Sequence, residues 1–292
     1  MTSPTMTSAP EDAGCRAWRS LAADALGHRF EVVAEACGPD LTERLEAVLT
    51  PLATHRKPSV TYTITPTARE RYRLGLDGDV LCEAEAPGPT VRHLVWHVNQ
   101  CAVRAARSRH TVLHAAAAHR TGCTVVLPAP MGSGKTTTVA GLLVKGWDYV
   151  SDEAVALRRD DLRILSFPKA LSLDPGSWPL FPEARPRWVD SDLDGQWQVS
   201  AGTLGARHAA APGSPRLVIM PRFTGRRTRL HQVAPAEAVV LLARSTFGVP
   251  AGGEEDLDVL VRLVEGCPVY SLEIADLAAA VELFEKTVGG LQ

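Results

Sequence analysis

Apolar and polar residues along this chain repeat with two periods, and the change of period sketches the order of its elements. The stretch Trp18–Leu26 suggests a short helix, and HRFEVVAEA (His28–Ala36) alternates as a strand does. PDLTERLEAVLTPL then sets Leu41, Leu45, Val48 and Leu49 on one helical stripe, with Asp40 as a cap and Pro51 as the stop. SVTYTIT (Ser59–Thr65) is β-branched with period two. RYRLGLDGDVLCEAE carries Asp77-Gly78 between two strand-like runs, a hairpin signal. Pro87 and Pro89 open a helix from about Thr90 to Arg107.

Beyond residue 108 the pattern changes. HTVLHAAAAHR and CTVVLPA read as buried strands joined at Gly122, and KTTTVAGLLVKG reads as a helix closed by Gly146. WDYVSDEAVALRR and LRILSF follow as strands around an Asp160-Asp161 turn. Residues 168–215 are rich in proline and predict loops, and RLVIMPRF (Arg216–Phe223) is a further buried strand. Helices over Pro235–Phe247, Glu255–Glu265 and Ile274–Val288 complete the chain. The expected organisation is a disordered tail over 1–14, an N-terminal α+β domain over 15–108 and an α/β domain over 109–292.

Composition narrows the classes of partner. A formal net charge of −2 in 292 residues gives no electrostatic case for nucleic acid or an anionic membrane. The start of the chain lacks the basic and apolar regions of a signal peptide, and no apolar run is long enough to cross a bilayer. Six scattered cysteines without a CxxC pair fit free thiols in a reducing cytoplasm. The expected setting is therefore cytoplasmic, and homo-oligomerisation is left open.

The chemistry concentrates between Val125 and Glu153. Ala129–Thr136 reads APMGSGKT, which matches the Walker A pattern G-x-x-x-x-G-K-[ST] except at its first position. Gly132 and Gly134 permit a tight turn, and the following helix supplies amide donors and the positive end of its dipole to an anion. Nucleotide contacts are expected from Pro130, Met131, Gly132, Ser133, Gly134, Lys135, Thr136 and Thr137, with Lys135 on the β- and γ-phosphates and Thr136 on Mg²⁺. Asp152 and Glu153 follow Lys135 by only 17 residues, on a strand that a parallel βαβ return would bring beside the cradle.

LHAAAA…VVLPAPMGSGKTTTVAGLLVKGWDYVSDEAVAL resembles the catalytic domain of HPr kinase/phosphorylases. The resemblance is good over about residues 110–173, loose over 216–247, and weak before residue 100. It implies an HPr-kinase/PEP-carboxykinase-like mixed sheet, ATP or another nucleoside triphosphate with Mg²⁺, and a hydroxyl of a peptide or small protein as acceptor. It also implies Asp152 as general base, Glu153 with Thr136 on the metal, and His114, fifteen residues before Ala129, beside Asp152. Glu153 stands where that family has a second Asp, and the family's later glycine-rich signature is missing.

Secondary candidates are Lys169, placed to touch a phosphate, and Arg222, placed to stabilise charge at the transferring group. Arg222 belongs to a basic cluster with Arg226, Arg227 and Arg229 that also reads as a solvated loop. His93 and His97 sit four apart on a helix, a zinc-compatible spacing, but with two ligands only they read as packing residues. Two further readings stand beside a peptide kinase: a nucleotide-binding module that transfers nothing, and a kinase for a small-molecule hydroxyl.

Overall fold

A computed structural model describes residues 17–36, 38–67, 71–188, 195–248 and 253–290. The expected tail over 1–14 lies outside the described residues. The chain is mixed α/β. Its first strands are β1 (Trp18–Arg19), β2 (Ala23–Ala25) and β3 (His28–Ala34), followed by α1 (Pro39–Leu49), β4 (Val60–Thr67), β5 (Arg71–Leu76), β6 (Asp79–Ala84) and α2 (Pro87–Arg107). The short helix expected over Trp18–Leu26 is two strand segments instead, because Ala23 and Ala25 alternate inward and pair with β3. Together β1–β6 form one six-stranded sheet, and β5 and β6 make the hairpin expected at Asp77-Gly78. Asp77 and Gly78 both adopt positive φ there, as such a turn requires.

The second sheet begins with β7 (His110–Arg120) and β8 (Cys123–Pro128), then α3 (Lys135–Val144), β9 (Asp148–Ser151), β10 (Ala154–Arg158) and β11 (Ile164–Leu165). The proline-rich region holds a short pair, β12 (Leu171–Leu173) and β13 (Trp197–Val199), with short 3₁₀ segments. The chain ends with β14 (Pro215–Phe223), β15 (Arg229–Gln232), α4 (Pro235–Arg244), α5 (Gly253–Gly266), β16 (Val269–Ile274) and α6 (Leu277–Gly289). Eight strands make this sheet in the order β11-β10-β7-β8-β14-β16-β15, with β9 also on β7. The β8–β14 and β14–β16 pairs are parallel and the rest antiparallel. The alternation in VYSLEI, overlooked in the periodicity of the last fifty residues, is what makes β16.

Both faces of this sheet are covered. Ala116, Ala118, Val125, Leu127, Leu217 and Ile219 pack under α3 and α6. Their neighbours Ala115, Ala117, Val126 and Val218 point the other way, under α4 and α5. The run Ala115–Ala118 is fully buried. Gly141 of α3 meets α6 so closely that an added Cβ would lie 3.0 Å from Val281 Cγ2. The N-terminal sheet and α2 share a third core with Val112, Ala154, Ala156, Phe167 and Ala170, so these N-terminal elements brace β7 and β10 directly.

Candidate functional site

The glycine turn after β8 is built as its sequence requires. Gly132 (φ 75°) and Gly134 (φ 88°) occupy the left-handed region, which favours glycine, and α3 starts at Lys135 directly after Gly134. The turn is tied to the sheet, since the Ala129 amide donates to the His114 carbonyl (3.4 Å) and the Phe223 amide donates to the Ser133 carbonyl (2.9 Å). Met131 stands out from it, 88% exposed.

Two polar side chains at the turn and the start of α3 lack a protein partner among the described residues. Ser133 Oγ accepts and donates no hydrogen bond. Lys135 is 7% exposed, and its side chain forms no ion pair or hydrogen bond among the described residues. Burial lowers the Lys135 pKa against the opposing pull of Asp152 and Glu153. An ammonium in that position is costly unless an anion joins it.

The acids approach from the other side of β7. The expected strand over 147–159 is one antiparallel run along β7, interrupted between β9 and β10 by a bend at Asp152-Glu153. Thus β8 and β9 run parallel to each other, as expected of a βαβ return, but β7 lies between them. Two strand spacings, about 10 Å, separate the end of β8 from the bend. His114 lies at the junction: it pairs with Ala154 of β10, its carbonyl meets the glycine turn, and the Ala115 amide donates to the Glu153 carbonyl (3.3 Å).

Asp152 is 1% exposed and held by three donors. Lys169 Nζ lies 2.8 Å from its Oδ1, the Tyr149 hydroxyl donates to Oδ1 at 2.9 Å, and the Ser172 amide donates to Oδ2 at 3.1 Å. Glu153 is more open, with its Oε1 4.0 Å from His114 Nε2. Burial, aided by Lys135, depresses the His114 pKa to about 4, so the imidazole is neutral at pH 7.

Turn and acids line one cavity of about 490 Å³. Met131 to Thr138 form its floor, His114, Asp152 and Glu153 its back, and Ser177 and Leu180 one wall. Phe223 and Ile274 to Leu277 form the opposite wall. Met131, Gly132, Ser133, Gly134, Lys135, Thr136 and Thr137 are therefore brought together with His114, Asp152 and Glu153, while Pro130 lies exposed at the edge of the turn.

Two expected contacts fall elsewhere. Lys169 lies behind Asp152, 3% exposed and bonded also to the Ala170 carbonyl, so it braces a carboxylate rather than reaching into the cavity. Arg222 is exposed at the outer end of β14 and pairs with Glu273 (3.3 Å), next to the wall but outside the lining. Tyr149, Ser172 and Ser177 went unnoticed in the sequence. Tyr149 sits three residues before Asp152, the one local sign of its role. Ser177 reaches Thr137 only through folding, at 2.6 Å. His97 bonds Tyr62 (2.8 Å), which agrees with packing, whereas His93 is exposed and does not pack as expected.

No protein-family model matches the chain, and no curated protein matches it.

Proposed function

We propose that this protein is a Mg-ATP-dependent kinase that transfers a phosphoryl group to a hydroxyl, that of a serine in a peptide or small protein. The observation that carries this reading is Lys135 at the start of α3, a largely buried residue whose ammonium has no ion pair or hydrogen bond among the described residues and shares one cavity with two carboxylates. An anion is the missing partner of Lys135 and of Ser133 Oγ. A phosphate chain fits both, with helix N-terminal amides completing the cradle in the manner of a P-loop.

Phosphoryl transfer asks the protein for position and charge more than for covalent chemistry. Asp152 would take the acceptor's proton as the acceptor oxygen bonds to the γ-phosphorus and the bond to the β-phosphate oxygen breaks, releasing ADP. Lys169, Tyr149 and the Ser172 amide hold that carboxylate in one orientation. Three donors leave part of its acceptor capacity, about four lone-pair sites, for a hydroxyl. Glu153 and Thr136, which line the same cavity, would hold a magnesium ion, since a hard cation prefers oxygen donors. Bound there, the metal would neutralise phosphate charge. His114, neutral beside Glu153, would adjust that carboxylate's surroundings without adding a cation.

The resemblance to HPr kinase/phosphorylase catalytic domains, and with it the fold type, belongs to this proposal. So does a reducing, cytoplasmic setting, which the free Cys82, Cys101, Cys123 and Cys267 suit. A nucleotide-binding module without transfer is favoured by one observation, the engagement of both Asp152 oxygens. Incubating wild type and Asp152→Asn with Mg-ATP and serine peptides, followed by mass spectrometry, separates the two. Phosphate gained with wild type alone supports the kinase; ATP bound equally by both, with no peptide gaining mass, supports the module.

A further inference from the structure

The basic cluster at the end of β14 has a place in the fold that its sequence did not reveal. Residues 224–228 link β14 to β15, and this link is stitched to the cavity wall. The Thr224 and Gly225 amides donate to the Ile274 carbonyl (2.8 and 3.2 Å), and Thr228 Oγ1 accepts from the Ala275 and Asp276 amides (3.1 and 3.2 Å). Ile274, Ala275 and Asp276 line the cavity. Four arginines, at 222, 226, 227 and 229, are therefore fixed at its lip, all exposed.

Two acids oppose them. Glu273 takes both Arg222 and Arg227, and Asp276 caps α6 by accepting from the Ala279 amide (2.8 Å). The guanidinium groups of Arg226 and Arg229 form no ion pair or side-chain hydrogen bond among the described residues, although Arg229 shares the field of Glu273. Inside the lip stand two exposed apolar side chains, Phe223 (61%) and Met131 (88%). A chain whose net charge is −2 thus places an excess of positive charge and an apolar step at one entrance.

We propose that this lip docks an acidic segment of the acceptor polypeptide, its carboxylates on Arg226 and Arg229 and an apolar side chain against Phe223 and Met131, with the reacting hydroxyl carried inward. This rests on the kinase reading for the hydroxyl's fate, but not for the binding itself. Exposed arginines favour carboxylates through bidentate contacts and steer association. The position beside the cavity favours a polypeptide acceptor over a lipid surface or nucleic acid, which would need a broad basic face.

The test uses the full chain and two fluorescein-labelled twelve-residue peptides, each with one serine and two leucines, one carrying four glutamates and the other four lysines. Anisotropy at moderate salt should show the acidic peptide binding at least about tenfold tighter than the basic one. Arg226→Glu/Arg229→Glu should remove most of that preference, and Arg226→Gln/Arg229→Gln should show an intermediate loss. Mg-ATP binding, measured in parallel by calorimetry, should be the same in all three proteins. Equal binding of both peptides, or an acidic-peptide affinity unmoved by the double charge reversal, overturns the proposal. Preferential binding of phosphatidylserine vesicles or a DNA duplex, lost in the same variant, also overturns it and assigns the lip to that partner. Failure of wild type to bind ATP would strike the kinase reading alone, because peptide preference is read without nucleotide.

Discussion

Replacing Lys169 by Met removes the ammonium that neutralises Asp152, at a place where water cannot take over. The Lys169 side chain is 4% exposed and that of Asp152 1%, with 2.8 Å between Nζ and Oδ1. Removing one partner of a buried pair commonly costs about 3–5 kcal/mol, because the remaining charge is left uncompensated. Tyr149 and the Ser172 amide still donate to Asp152, so the lower end, about 3 kcal/mol, is expected. Asp152→Asn should cost a similar amount by stranding Lys169. The double variant Asp152→Asn/Lys169→Met should cost less than the two singles added, with a coupling of about 2 kcal/mol. Urea unfolding of the four proteins, followed by circular dichroism, measures all three quantities. Additive losses, or a single-variant loss under about 1 kcal/mol, would refute a buried, coupled pair.

Lys135→Met should act in the opposite direction, stabilising the free protein by roughly 1 kcal/mol while abolishing ATP binding, because it deletes a buried charge that lacks a protein partner; thermal melts with and without Mg-ATP check both parts. Gly134→Ala should cost about 1–2 kcal/mol from its φ of 88° alone, since its new Cβ would meet Phe223 Cβ at an ordinary 3.6 Å; equilibrium unfolding and ATP titration read the backbone and cradle effects. For His114, the native imidazole holds its proton only below about 4, whereas the unfolded group takes one up near 6.5. Its contribution to stability is thus complete above pH 6.5 and declines as the pH falls toward 4. Denaturation curves across that window should be flatter for His114→Gln than for wild type.

Much of this arrangement was legible in the residues because its parts are local. A glycine turn between a buried strand and a helix needs only Pro128 to Val144 to declare itself, and short apolar runs marked β7, β8 and β14 in place. What escaped depends on chain segments meeting. The pairing of Ala23 with Phe30 overrides a weak helical pattern before residue 26, and β7 inserts between β8 and β9 through hydrogen bonds that no local spacing reveals. Lys169 read as a phosphate contact because LSFPKALSL carries no sign that its neighbour in space is Asp152. Likewise Arg226 and Arg229 looked like a solvated loop until the stitching of residues 224–228 to 274–276 set that loop beside the cavity wall.

Isothermal titration of Mg-ATP and Mg-AMP into the wild-type protein and into Lys135→Met tests the central claim most directly. The account predicts saturable one-to-one binding of the triphosphate to wild type, much weaker binding of the monophosphate, and no triphosphate binding when Lys135 is gone. Equal affinity of wild type and Lys135→Met for Mg-ATP, or no binding by wild type, would contradict the assignment of this cavity to a nucleotide's phosphates.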